Sequence, residues 1–348
     1  FEEDVLANSY IDLNPSYDES QNAYPIRISV KEGTDMTSLA PIFELTPGAT
    51  ISPASGSVQN FTTPVRYTVT SEDKAWHRVY AITAREQKAS NIPTTYHFEK
   101  VRIMQNVWQE FYEEQDSGNE LTWASGNKGF KWAMSEAATE DYPTTQIDNG
   151  KTGKCVKLET RLTGDLGNMV GMPIAAGNLF IGSFDMLNAI TNPLSATRFG
   201  TPFYNKPLRL TGYYKYKAGE QFYENGEYTS RKDIFNIYAI FYDGVKYDSA
   251  GKGTDVTLDG NLPNQNYEHS SMVALALVSN PQETEGDEWK FFDIPFDYQR
   301  YGKKIDEARL AKGEYKIGII FASSKDGATF EGAPGSTLLI DEVELIYE

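Results

Sequence analysis

The chain has 348 residues, of which 40% are hydrophobic and 13% aromatic, and it carries a formal net charge of −17 with a pI near 4.7. That acidity repels phosphate backbones and excludes nucleic acid as a natural partner, and no apolar run is long enough to span a membrane as a helix. The length suits two domains, and the 22 Tyr and 18 Phe favour strands over helices.

In chain order, residues 25–30 (PIRISV), 42–45, 65–69 (VRYTV) and 78–83 (RVYAIT) are short runs rich in branched and aromatic residues. Pro, Gly and Ser clusters separate them, as at 52–57, which is the pattern of a small antiparallel sandwich of immunoglobulin type. The first domain is therefore expected over 1–89, as a spacer or as a second binding module. Residues 86–95 (EQKASNIPTT) are polar and aperiodic and read as the linker. The second domain is expected over 90–348 and opens with a strand at 96–101. Residues 105–116 fit either a short helix or an irregular insertion.

Between 121 and 142, Gly126 and Gly129 break the pattern into loop, and Trp108, Trp123, Phe130 and Trp132 gather several rings in a short stretch. Sugars present flat C–H faces rimmed by hydroxyls, so an exposed ring flanked by amide and basic groups suits them. Trp123 and Trp132 with Asn127, Lys128 and Lys131 have that composition. Equally, the tryptophans could fill the core. Residues 154–162 read as a strand, and Cys155, the one cysteine, reads as a small buried hydrophobe that can form no internal disulfide. Strands follow at 178–184 and 209–217. In the latter, Leu210, Gly212, Tyr214 and Tyr216 form a core face, and Tyr213 shares the opposite face with Thr211, Lys215 and Lys217. That second face could line a concave binding surface or be an ordinary solvated one. Residues 235–241, 272–278 and 289–296 (WKFFDIPF) continue the sheets, with an exposed loop expected over 248–265.

The last two strands run from 315 to 322 and from 337 to 347. Alternation predicts Leu339, Asp341, Val343, Leu345 and Tyr347 on the inward face of the final strand, and an inward Asp341 needs a partner.

The ending SSKDGATFEGAPGSTLLIDEVELIYE, with AGNLFIGSF (176–184), NPLSATRFGTPF (192–203) and LTGYYKYKAGE (210–220) in the same order, resembles the putative carbohydrate metabolism domain family of Bacteroidetes surface lipoproteins. Residues 49–83 resemble the bacterial immunoglobulin-like modules that stand between an anchor and a functional domain. The resemblance implies a jelly-roll, galactose-binding-like sandwich that handles glycans, on the outer face of the outer membrane or in the periplasm. It also implies a leader and lipid anchor removed before Phe1. Jelly-roll domains of this kind often hold a structural calcium between first and last strands. Glu99 and Asp341 are the acids so placed, and the alternative role for Asp341 is to accept from backbone amides or to pair with a Lys.

Other chemistries find little support. His77, His97 and His269 are scattered, which does not suit a zinc site. No nucleophile elbow or phosphate loop occurs, and no organic cofactor is expected. Ser323, Ser324 and Lys325 adjoin but lack an identifiable base. The expected function is therefore binding of a polysaccharide or oligosaccharide through Trp123, Asn127, Lys128, Trp132 and Tyr213. The alternatives are a glycoside hydrolase on the same scaffold, for which the many carboxylates supply candidates without a distance, and a structural adhesion subunit.

Overall fold

The computed structural model describes residues 1–348 apart from 2–4, 8–10, 12, 14, 88–89, 116–117 and 119. The chain is all-β and divides into a unit of residues 1–89, which the last residue joins, and a unit of residues 90–347.

In the N-terminal unit four strands form one sheet in the order Tyr24–Lys31, His77–Gln87, Val65–Thr70, Thr50–Ser52. Three of these fall where the apolar runs predict them. The run at 42–45 is instead loop, with Ile42 51% exposed, and the second strand forms at Thr50–Ser52. The first and last strands pair in parallel, Ile26 beside Ile82 and Ile28 beside Ala84, where an antiparallel partner was expected. Their inward residues pack with Val30, Leu39, Phe61 and Tyr67 into a core of the unit's own.

The polar stretch 86–95 is shorter as a connection than its composition suggests. Glu86 and Gln87 complete a strand. Asn91 donates from Nδ2 to the Pro202 carbonyl at 2.8 Å, and Ile92 lies in the core of the C-terminal unit. Residues 88 and 89 lie outside the described residues.

The C-terminal unit is a sandwich of two antiparallel sheets. One has the order Lys290–Pro295, Pro207–Lys217, Thr337–Tyr347, Lys154–Glu159, Thr144–Asp148, with Thr95–Tyr96 added beside the final strand. The other has the order Asn178–Phe180, Tyr315–Ala322, Asn236–Asp243, Met272–Leu277, with Thr201–Pro202 beside Tyr315–Ala322. Leu210, Tyr214, Leu338 and Ile340 from the first sheet meet Ile237, Ala239, Ile317 and Ile319 from the second in the main core.

The second sheet is buried on both faces. Its outer residues Tyr238, Ile240, Tyr242, Leu275 and Ile320 form a further cluster with Phe180, Phe199, Leu258, Leu262 and Tyr267. Tyr315–Ala322 is thus buried on both faces, although Tyr315, Ile317, Ile319 and Phe321 alternate with Lys316, Gly318, Ile320 and Ala322 in the pattern that predicts a half-buried strand. The stretch 248–265 is not simply an exposed loop either: Leu258 and Leu262 seal that outer face, each under 5% exposed. Residues 105–116 resolve as part of a hairpin, Val101–Met104 with Trp108–Glu114, turning through Gln105 and Asn106, both at positive φ; Asp116 lies outside the described residues.

The final strand carries a bulge. Opposite Pro207–Lys217 the register jumps between Thr211 and Tyr213, and Glu342 takes φ 48°. One extra residue flips the parity, so Leu338 and Ile340 enter the core before it and Val343 and Leu345 after it. Leu339 and Asp341 therefore face away from the core, contrary to the unbroken alternation.

Candidate functional site

The outward face of the first sheet carries a row of aromatic rings. Tyr213 stands directly opposite Phe291 across the strand pair, with ring centroids 5.2 Å apart. Phe291 is 53% exposed. Two residues further along, the Lys215 ammonium lies 5.0 Å from the centre of the half-buried Trp289 ring and pairs with Asp287 at 2.5 Å. Lys151 lies 4.8 Å from the centre of the Tyr213 ring. At the other end of the row, Arg209 pairs with Asp293 at 2.6 Å. The alternation that buries Phe292 and Ile294 points Trp289 and Phe291 outward. These rings, flanked by charged groups, form a platform on which an apolar face rimmed by hydroxyls can rest.

Asp341 underlies this platform. It is fully buried, opposite Tyr213, beneath the turn between Thr144–Asp148 and Lys154–Glu159. Its Oδ2 accepts from the Thr152 amide at 3.0 Å and its Oδ1 from the Glu342 amide at 2.8 Å. Burial outweighs these hydrogen bonds and pushes its carboxyl up to about 6. Gly150 is required there, because a Cβ at that position would lie 2.7 Å from Asp341 Oδ2. Glu99, exposed, grips the same turn by accepting from the Lys154 amide at 2.8 Å. The two acids thus fasten the turn that carries Lys151 over Tyr213.

Amide hydrogens aimed at these carboxylates make a poor setting for a cation. Among the described residues no group of three or more His, Cys, Asp or Glu side chains converges. As placed, the Asp341 carboxylate serves the amides of Thr152 and Glu342, and Glu99 serves that of Lys154.

The other residues singled out in the sequence lie apart from this row. Trp123 is 1% exposed, 5.1 Å edge-on from Tyr96 and 5.9 Å from Phe321, so it is a core ring and offers no face to a sugar. Asn127 is fully buried and bridges backbone: its Nδ2 donates to the Thr144 carbonyl at 2.7 Å and its Oδ1 accepts from the Thr144 amide at 3.1 Å. The supposed loop around it is a helix, Asn127–Ala133, which tolerates Gly129 because the Phe184 ring closes to 3.2 Å of where a Cβ would stand. Lys128 and Trp132 share the exposed side of that helix, with Trp132 38% exposed. Trp132 borders a pocket over the outer face of the second sheet, so it and Tyr213 lie on opposite sides of the sandwich.

Cys155 is fully buried and its thiol is pushed up to about 12 by burial and by Asp341. Ser323 and Ser324 are equally inaccessible. Ser324 donates to Asp233 at 2.6 Å, Ser336 donates to the same carboxylate at 2.7 Å, and Thr160 bonds both Ser323 and Ser324. This buried network ties Thr160, Asp233, Ser323–Ser324 and Ser336 together and keeps Ser323 and Ser324 from the surface.

The family model described as Putative carbohydrate metabolism domain matches residues 97–346, and the SGBP, N-terminal model matches residues 12–84. Two solved structures are similar. One, titled a putative glycoside hydrolase from Bacteroides thetaiotaomicron VPI-5482, is 46% identical, with 94% of this chain and 91% of that chain covered and a TM-score of 0.66. Another, titled a putative glycoside hydrolase from Bacteroides vulgatus ATCC 8482, is 50% identical, with 75% of this chain and 100% of that chain covered and a TM-score of 0.69. A search of curated proteins returned no match. With most of its length matched in this way, the chain belongs to the putative carbohydrate metabolism domain family, preceded by an SGBP-type N-terminal domain.

Proposed function

We propose that this protein is a surface glycan-binding protein whose C-terminal sandwich holds a polysaccharide against the Tyr213, Phe291 and Trp289 row. The single observation that carries this reading is that row: rings on the solvent side of a rigid sheet, bordered by ion-paired Lys, Arg and Asp side chains. Stacking supplies affinity and the charged rim supplies hydrogen bonds to hydroxyls. The N-terminal domain then serves as a spacer that carries the binding sandwich away from a lipid-anchored attachment point at the cell surface.

Binding is favoured over hydrolysis because the most perturbed acid beside the platform, Asp341, is fully buried and cannot touch a substrate. The hydrolase reading has one specific place of its own. A broad cleft of about 700 Å³ is lined by Glu136, Asp141 and Glu159 with Arg161. Glu159 is already paired with Lys157 and Arg161 at 3.1 Å each, which leaves Glu136 and Asp141 as the pair to test.

Electrophoresis through gels containing plant or host polysaccharides tests the proposal. Retardation of the wild-type protein, lost in Phe291→Ala and Trp289→Ala with unfolding midpoints preserved, supports it. Equal mobility of wild type and variants in every gel overturns it. Release of reducing sugar, abolished by Glu136→Gln or Asp141→Asn, would instead establish the hydrolase.

A further inference from the structure

The pocket bordered by Trp132 is a different kind of site from the ring platform. It lies over the second sheet, between the short helices Asn127–Ala133, Gly164–Met169 and Met186–Thr191. Its floor is Tyr238 and Ile320, and its walls include Phe184, Met172 and Phe330. No Asp or Glu is among its lining residues, and the cavity measures about 170 Å³.

Two properties of the pocket fix what can occupy it. The first is size. An engineered apolar cavity of roughly 150 Å³ stays dry and admits benzene, so this pocket has room for one six-membered ring and little more. The second is polarity. Four of the polar side chains that line it are engaged with protein partners. Asn178 Oδ1 accepts from the Gly126 amide at 2.8 Å, and Asn236 Nδ2 donates to the Tyr267 hydroxyl at 2.8 Å. Ser324 serves Asp233 and Thr160, and Thr163 donates to the Met172 carbonyl. The lining is otherwise apolar, so a pyranose placed inside would find few partners for its ring of hydroxyls, and each one left unpaired costs roughly 1–3 kcal/mol. An aryl ring has no such demand and meets Phe, Tyr, Trp and Met surfaces, with thioethers able to adjust to its edge.

We infer that this pocket is a binding site for a single-ring aryl group. The ring enters past Trp132 and the exposed Lys325 at the mouth, so a polar or anionic substituent on it would remain in solvent. The site is separate from the glycan platform and does not depend on it. The same ring could arrive as a free phenolic ester or as the aglycone of a glycoside, and the two sources share the chemistry that the pocket recognises.

The test is a titration of the full chain with methyl 4-hydroxybenzoate and with 4-nitrophenyl β-D-glucopyranoside, set against methyl β-D-glucopyranoside, followed by calorimetry. Saturable one-to-one binding of either aryl compound, with the methyl glycoside silent, is the expected result, and which aryl compound binds tells the two sources apart. Ala189→Phe, which fills the wall, should weaken that binding at least tenfold while Phe291→Ala leaves it unchanged. Should Ala189→Phe fail to fold, Ala328→Phe at the exposed mouth serves in its place. Absence of saturable aryl binding, equal binding of the methyl glycoside, or binding that survives filling of the pocket would overturn the inference. Because the platform variants are read in polysaccharide gels, failure here and failure of the glycan reading are distinguishable.

Discussion

At the scale of single residues, two tryptophans nine positions apart in the chain have opposite fates. Trp123 sits among Tyr96, Phe98 and Phe321, and its replacement by Ala should cost about 3–5 kcal/mol in urea unfolding, as large core cavities do. Trp132→Ala, at a 38% exposed position, should change stability by no more than about 1 kcal/mol. Asp341 makes a prediction in pH. Its carboxyl is raised from the ordinary aspartate range to about 6, so the folded protein binds this proton more tightly than the unfolded chain. The resulting contribution is fully present below about pH 4 and is lost as pH rises through about 6. Denaturant melts of wild type and Asp341→Asn across that window should differ in slope, with the variant flatter; identical slopes would assign the pH dependence elsewhere. Since both acids are occupied by turn amides, calcium and a chelator should leave the melting temperature unchanged. An upward shift with calcium would show that Glu99 and Asp341 can rearrange around the ion.

At the scale of elements, most strands were legible as short branched and aromatic runs, and the two faces of Pro207–Lys217 separate as alternation requires. What alternation could not carry was the bulge at Glu342, because one residue with positive φ reverses every later side chain and leaves no compositional mark. Nor could it show that loops would cover the second sheet. The run IGIIFA, apolar at nearly every position, was the available signal for burial on both faces. The platform was half legible. Tyr213 stood out by its basic neighbours, but WKFFDIPF reads first as core. Only its alternation, Trp289 and Phe291 against Phe292 and Ile294, tells that half of it faces solvent. The buried Asp233 network was hidden for a different reason: its members lie some 90 to 170 positions apart or on unremarkable turns, and hydroxyls give no periodic pattern. Ser336→Ala should cost roughly 1–3 kcal/mol by leaving that carboxylate short of a donor. A loss below about 0.5 kcal/mol would mean that the remaining donors suffice.

At the scale of the whole molecule, each of the two units has a core drawn from its own residues. A chain beginning at Ser90 should therefore unfold in one cooperative transition and keep whatever ligand binding the full protein has. Loss of cooperativity in that fragment would show that the N-terminal domain is part of the fold and not a spacer. The family places the protein in carbohydrate handling, and the central claim is that the ring row performs the contact. The most direct measurement is a titration of the tryptophan indole N–H resonances with an oligosaccharide cut from whichever polysaccharide retards the protein. The account predicts that the Trp289 resonance moves and saturates with ligand while those of Trp123 and Trp132 stay in place. Movement of Trp132 with Trp289 unaffected would contradict it and transfer the glycan to the other side of the sandwich.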